Sequence, residues 1–179
     1  MIQPDYRVLL DEEIWAYMDR SDSFYPPDAV SLTIDQQRAV YNRMCAAFHQ
    51  PHPDGVRTWD VAFGGVPCRV YEADTSAITV VYYHGGGFVV GGLESHDDVC
   101  AEICAATGYR VISVDYALAP EVVFPACFND AWAAFQAIAA AYDGGIVLAG
   151  DSAGGNLAAA VAHTARASHD GRIAGQVLI

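Results

Sequence analysis

The sequence predicts an α/β protein: an open, twisted and mostly parallel sheet with helices on both faces, preceded by an N-terminal helical segment. Three observations predict it. From about residue 56 onward, short runs rich in Val, Ile and Tyr alternate with helical patterns; such βαβ alternation implies right-handed crossovers and a parallel sheet. The run Ile78 to Tyr83 is nearly all apolar, as in a strand covered on both faces. With 53% apolar and 17% charged residues, the 179-residue chain can bury a sizeable core and is not disordered.

Taken in order, residues 1–55 read as an amphipathic helical segment and 56–179 as the sheet-bearing core. A first helix lies around Leu9 to Met18, with Asp11 to Glu13 on its solvated face, and Pro26-Pro27 ends the region. Thr33 as N-cap with Gln36 three residues later opens a second helix as a capping box. Tyr41, Met44, Cys45 and Phe48 give that helix one apolar stripe. Trp15, Tyr17 and Phe24 are expected to pack this segment onto the sheet or to line an apolar pocket.

Pro51-His52-Pro53-Asp54-Gly55 breaks the pattern and marks the boundary, where His49 also falls. Val56 to Phe63 and Pro67 to Glu72 flank Gly64-Gly65 as a hairpin. After strand Ile78 to Tyr83 comes a helix with Ser95 as N-cap, Asp98 at its third position, His96 at its start and Gly108 as its stop. Arg110 to Tyr116 is a strand, Asn129 to Tyr142 an Ala-rich helix and Ile146 to Ala149 a strand. Asn156 to Ser168 is a helix and Ile173 to Ile179 a strand. Val177-Leu178-Ile179 leaves an apolar strand with no covering helix after it, so further strands and helices are expected. Such an edge predicts self-association, or completion by another chain.

Lys and Arg number 9 against 22 Asp and Glu, a formal charge of −13, which excludes a nucleic-acid partner needing clustered cations. No apolar stretch is long enough to span a membrane, and the opening MIQPDYRVLLDEE lacks the layout of a secretory leader. Five cysteines without scaffold spacing suit reduced thiols in a cytoplasmic protein. Cys100 and Cys104 share a helix face, but without partner ligands they read as buried thiols rather than a metal pair. No metal and no cofactor is expected.

Two motifs carry chemistry. Gly150-Asp151-Ser152-Ala153-Gly154 is a G-x-S-x-G between an expected strand and an expected helix, the setting in which a serine hydroxyl is lifted above a sheet on a strained turn. The bland alternative is a β–α turn with Ser152 as N-cap. His84-Gly85-Gly86-Gly87 ends the strand Ile78 to Tyr83, and three glycines free the backbone to aim N–H groups inward. Its alternatives are a flexible turn or a phosphate loop. No G-x-G-x-x-G fits, and Gly92 stands where a P-loop needs Lys. Both motifs fall at carboxyl ends of sheet strands, where open α/β sheets bind ligands.

His84-Gly85-Gly86-Gly87-Phe88, Asp115-Tyr116-Ala117-Leu118-Ala119-Pro120-Glu121 and Gly150-Asp151-Ser152-Ala153-Gly154-Gly155-Asn156 together resemble the hormone-sensitive-lipase-like family of α/β-hydrolase esterases. The likeness runs from about residue 56 to the end, and the N-terminal helices resemble that family's cap. It implies hydrolysis of short-chain acyl or acetyl esters. Ser152 would be the nucleophile, with the backbone N–H groups of Gly85, Gly86 and Ala153 as oxyanion hole. His84 would brace the glycine loop, with Gly87 and Asp151 in support. Asp115 and Glu121 would be hydrogen-bond partners behind the site, or simply loop residues after a strand.

In this fold the triad runs Ser, then Asp or Glu, then His. After Ser152 stand only His163, His169 and Asp170. His163 lies about three turns along the same helix, roughly 16 Å from the serine and out of hydrogen-bond reach. The chain therefore supplies nucleophile and oxyanion donors without a matching acid and base, and is expected to turn over esters negligibly by itself. The alternative is a non-catalytic ligand-binding or interaction protein on a partial hydrolase scaffold.

Overall fold

The computed structural model describes residues 6–74, 76–167 and 171–179. The chain divides into two compact units between Phe48 and His49. In the smaller unit, α1 (Tyr6–Leu9) is a single turn, α2 spans Glu12–Asp22 and α3 spans Ile34–Phe48. Asp11 is not merely on a solvated face. Its carboxylate accepts the Ile14 N–H at 2.9 Å and starts α2 as N-cap, while Glu12 and Glu13 follow in the first turn, where the helix dipole favours acid. The capping box at α3 is formed: Gln36 N–H reaches Thr33 Oγ1 at 3.3 Å and Thr33 N–H reaches Gln36 Oε1 at 2.9 Å. Tyr17 and Phe48 rings meet at 5.1 Å within this unit.

In the larger unit six strands form one sheet. These are β1 (Arg57–Phe63), β2 (Val66–Glu72), β3 (Ile78–Tyr83), β4 (Arg110–Val114), β5 (Gly145–Gly150) and β6 (Ile173–Leu178). Their order is β1-β2-β4-β3-β5-β6. The hairpin β1–β2 joins β4 antiparallel, whereas β4, β3, β5 and β6 run parallel. The sheet is therefore mixed, with its parallel part carrying the crossover helices α4 (Asp97–Thr107), α5 (Ala126–Ala141) and α6 (Ala153–Ala167).

Strand periodicity sorts β3 between two cores. Val81 and Tyr83 join Phe135, Ile138, Leu157 and Val161 of α5 and α6 on one face. Val80 and Tyr82 join Cys100 and Cys104 of α4 on the other. Each fully buried aliphatic or aromatic side chain there contributes about 1.5–3 kcal/mol of transfer free energy. Burial pushes the Cys100 and Cys104 thiols up, leaving them protonated core groups.

Three helix starts differ from the sequence reading. Ser95 does not cap α4. Its hydroxyl ties back to Gly92, accepting the N–H and donating to the carbonyl, both at 3.0 Å. A 3-10 turn (Glu94–His96) runs directly into α4. Helix α5 begins at Ala126 rather than Asn129, directly after Pro125, where a missing N–H costs no helical bond. Helix α6 begins at Ala153 rather than Asn156, because small residues that read as breakers are needed at that close approach. The expected strand to Tyr116 ends at Val114. Gly108 closes α4 in the left-handed region (φ 69°) as anticipated, its N–H on Cys104 O at 2.9 Å. Among the described residues no helix is long and apolar enough to cross a membrane. The expected helix end at Ser168, and His169 and Asp170, lie outside the described residues.

Candidate active site

Strands β3 and β5 are adjacent and parallel, with Tyr83 opposite Gly150, so the glycine loop and the serine turn leave the sheet side by side. Ser152 sits at φ 53°, a left-handed conformation that costs an L-residue roughly 1–2 kcal/mol. Its side chain is exposed, not packed beneath others. The turn is held by Ser152 N–H to Ile179 O at 2.8 Å, Gly154 N–H to Asp151 O at 2.8 Å and Asn156 N–H to Ser152 O at 3.1 Å.

The small residues around the serine are required by contact. A Cβ at Gly154 would lie 1.8 Å from Tyr83 O, and one at Gly150 would lie 2.5 Å from Gly154 C and 2.6 Å from Tyr83 O. Helix α6 therefore starts directly against the end of β3.

Asp151 is the hub that joins the two motifs. Its Oδ1 accepts the Gly85 N–H at 2.9 Å and the Tyr82 hydroxyl at 2.9 Å, and lies 3.3 Å from His96 Nε2. Burial works against its charge, yet the His96 contact and these hydrogen bonds hold its carboxyl below the usual range. Gly85, expected among the oxyanion donors, has its N–H on that carboxylate. Among the described residues the N–H groups of Gly86, Gly87 and Ala153 meet no protein acceptor, and Gly86 and Gly87 take φ 118° and 61°. A Cβ at Gly86 would lie 2.1 Å from Val90 O, so only glycine passes there.

His84 is fully buried and stacks on Tyr116 at 4.3 Å between ring centroids. Its Nδ1 donates to Gly85 O at 2.7 Å, and Tyr116 donates its hydroxyl to His84 O at 2.6 Å. Burial lowers its pKa to about 4, so it stands neutral as a brace and not as a base. The loop after β4 is stitched to the same place by Ala119 N–H to Phe88 O at 2.8 Å and by Ala117 N–H to Asp130 Oδ2 at 2.9 Å. Asp130, a lone acid in an Ala-rich helix, carries no local signal in the sequence. Asp115, expected to hydrogen-bond behind the site, has a half-buried carboxylate with no side-chain partner among the described residues, and burial raises its pKa. Glu121 is exposed on the loop.

An apolar cavity of about 720 Å³ opens where these loops meet α5 and α6. Gly87 and Phe88, Val122 to Phe124, and Asn156 and Leu157 line it. His163 reaches its wall from α6 on the exposed side. Among the described residues no histidine is bonded to Ser152. His84 is spent on Gly85, His96 lies against Asp151, and His49 and His52 lie at Asp97.

The alpha/beta hydrolase fold family model matches residues 80–179. The chain is 41% identical to the esterase LipI of Mycobacterium tuberculosis over 152 residues, 75% of this chain and 47% of that protein. To the acetyl esterase of Salmonella typhi it is 32% identical over 170 residues, 89% of this chain and 53% of that one. Among solved structures, an esterase of the bacterial hormone-sensitive lipase family superposes at a TM-score of 0.84 with 31% identity, covering 95% of this chain and 57% of that one. The hyperthermophilic esterase from Pyrobaculum calidifontis gives 0.80 and 32%, covering 93% and 57%. The chain spans about half the length of the curated relatives it matches. With the serine turn and glycine loop side by side on such a sheet, the chain belongs to the hormone-sensitive-lipase-like family of α/β-hydrolases, a family of carboxylesterases.

Proposed function

We propose that this chain carries the nucleophile and the oxyanion site of a carboxylic ester hydrolase acting on short acyl or acetyl esters. The observation that supports it most is the exposed Ser152 at φ 53°, set beside a glycine loop on the adjoining strand. In this reading Ser152 Oγ attacks the ester carbonyl, its proton passes to a base, and the alcohol leaves from an acyl-serine. The oxygen that gains charge is held by the N–H groups of Ala153, Gly86 and Gly87, and Gly85 serves to anchor Asp151. Losing one such donor costs on the order of 100- to 1,000-fold in rate. The acyl chain occupies the apolar cavity beside Phe88 and Leu157. The N-terminal helices resemble that family's cap.

The base is the part the described residues do not supply. Without it the oxyanion site and binding leave about 1,000- to 10,000-fold over water, so the chain alone hydrolyses p-nitrophenyl acetate at a residual rate without a burst. Prolonged treatment with an alkyl fluorophosphonate, read by peptide mapping, tests the assignment. One phosphonylated residue, Ser152, is expected, and Ser152→Ala removes it. Labelling spread over tyrosines and unchanged in Ser152→Ala would refute the reading. The unpaired Ser152 and the apolar cavity favour one second reading for the chain by itself, a scaffold that binds apolar acyl ligands without turnover.

A further inference from the structure

We propose that His49, His52 and Asp97 form a zinc site on the sheet-bearing unit, built from residues other than those of the serine turn. His49 and His52 lie on the segment that leads into β1, and Asp97 is the first residue of α4. One nitrogen of each histidine and one carboxylate oxygen all lie within 4.8 Å of one another. His52 Nε2 is 2.6 Å and His49 Nε2 3.6 Å from the same Asp97 Oδ2. Ligands of a tetrahedral zinc with bonds of about 2.0–2.1 Å stand roughly 3.3 Å apart, so modest side-chain rotations suffice.

The surroundings orient the three donors as a metal site requires. Asp97 Oδ1 is occupied by the Tyr71 hydroxyl at 2.7 Å and by Arg69 at 3.0 Å, which leaves Oδ2 facing the imidazoles. His49 Nδ1 lies 3.1 Å from Gln50 O, and a carbonyl can only accept, so the proton sits on Nδ1 and the Nε2 lone pair points outward. Asp98 Oδ2 takes the Gln50 N–H at 2.9 Å and pins the histidine segment to α4. Asp60, Glu94 and Asp97 surround the Arg69 guanidinium, and with Asp98 they leave the local charge negative. Two nitrogens and one oxygen suit zinc, whereas magnesium and calcium need more oxygen ligands.

Chelator-stripped chain titrated with zinc, followed by calorimetry and thermal melting, tests this. One equivalent is expected, with a melting temperature that climbs with zinc and does not respond to magnesium. His49→Gln with His52→Gln removes that equivalent, and Tyr71→Phe, which removes one of the two donors on Oδ1, weakens binding about 10- to 100-fold. Each variant's melt in chelator checks that it folds. If the histidine variants do not fold, cobalt(II) on the unaltered chain decides: visible bands of a tetrahedral N/O site support the proposal. A thiolate charge-transfer band, no visible bands, no zinc uptake, or uptake that survives the double variant overturns it.

Discussion

Replacing Gly154 by alanine isolates the close approach that makes the serine turn. The added Cβ would meet Tyr83 O at 1.8 Å, Tyr83 C at 2.5 Å and His84 O at 2.7 Å. All three are backbone atoms at the end of β3 and of the residue after it, so no side-chain rotation relieves them. Reaching even about 3 Å needs α6 to move by more than 1 Å against the sheet, and such overpacking costs about 3 kcal/mol or more. Alanine returns at most about 1 kcal/mol of helix propensity. The net loss of about 2 kcal/mol or more lowers the melting temperature by roughly 4–8 °C for a chain of this size. Gly155→Ala is the internal control. Its Cβ meets Gly150 O at 3.1 Å and Ile179 O at 3.4 Å, contacts that a few tenths of an ångström relieve. It gains the same propensity and should melt within about 2 °C of the parent. Scanning calorimetry of the three proteins settles the matter. Equal melting points for Gly154→Ala and Gly155→Ala would mean that helix and strand are not in contact as described.

The buried, neutral His84, with its pKa lowered to about 4, predicts a pH dependence with a definite sign. The unfolded chain gains a proton near pH 6.5 and the folded chain does not, so stability is full above about 6.5 and falls toward pH 4 by about 3 kcal/mol. Urea midpoints across that window should show the loss, and a His84 imidazole resonance that titrates near 6.5 contradicts it. Ser152→Gly relieves about 1–2 kcal/mol of left-handed strain, offset by roughly 0.5–1 kcal/mol of extra unfolded-chain freedom, and should raise the melting temperature by roughly 1–3 °C while abolishing phosphonylation; a lower melting temperature counts against a strained turn.

Much of the architecture is written locally. Apolar runs mark β3, β4 and β5, since a strand covered on both faces is apolar at most positions. Thr33 and Gln36 bond across three residues, and Gly108 ends α4 because a left-handed residue there suits glycine. The serine turn and glycine loop are equally local, small residues at fixed offsets. The starts of α4, α5 and α6 were less legible, because Ser95, Pro125 and Ala153 answer to neighbours beyond their own helix.

By itself the sequence determined the α/β class, the order of strands and helices along the chain, and the two motifs at strand ends. Only the tertiary structure decided that β3 and β5 are neighbours, that Gly85 gives its N–H to a carboxylate 66 positions away, and that His49 and His52 converge on Asp97. The physical reason is range. Side-chain periodicity and glycine's backbone freedom act over a few residues and leave a pattern in the chain. A hydrogen-bond partner across a crossover is fixed by which strands the packed helices bring together, and leaves none.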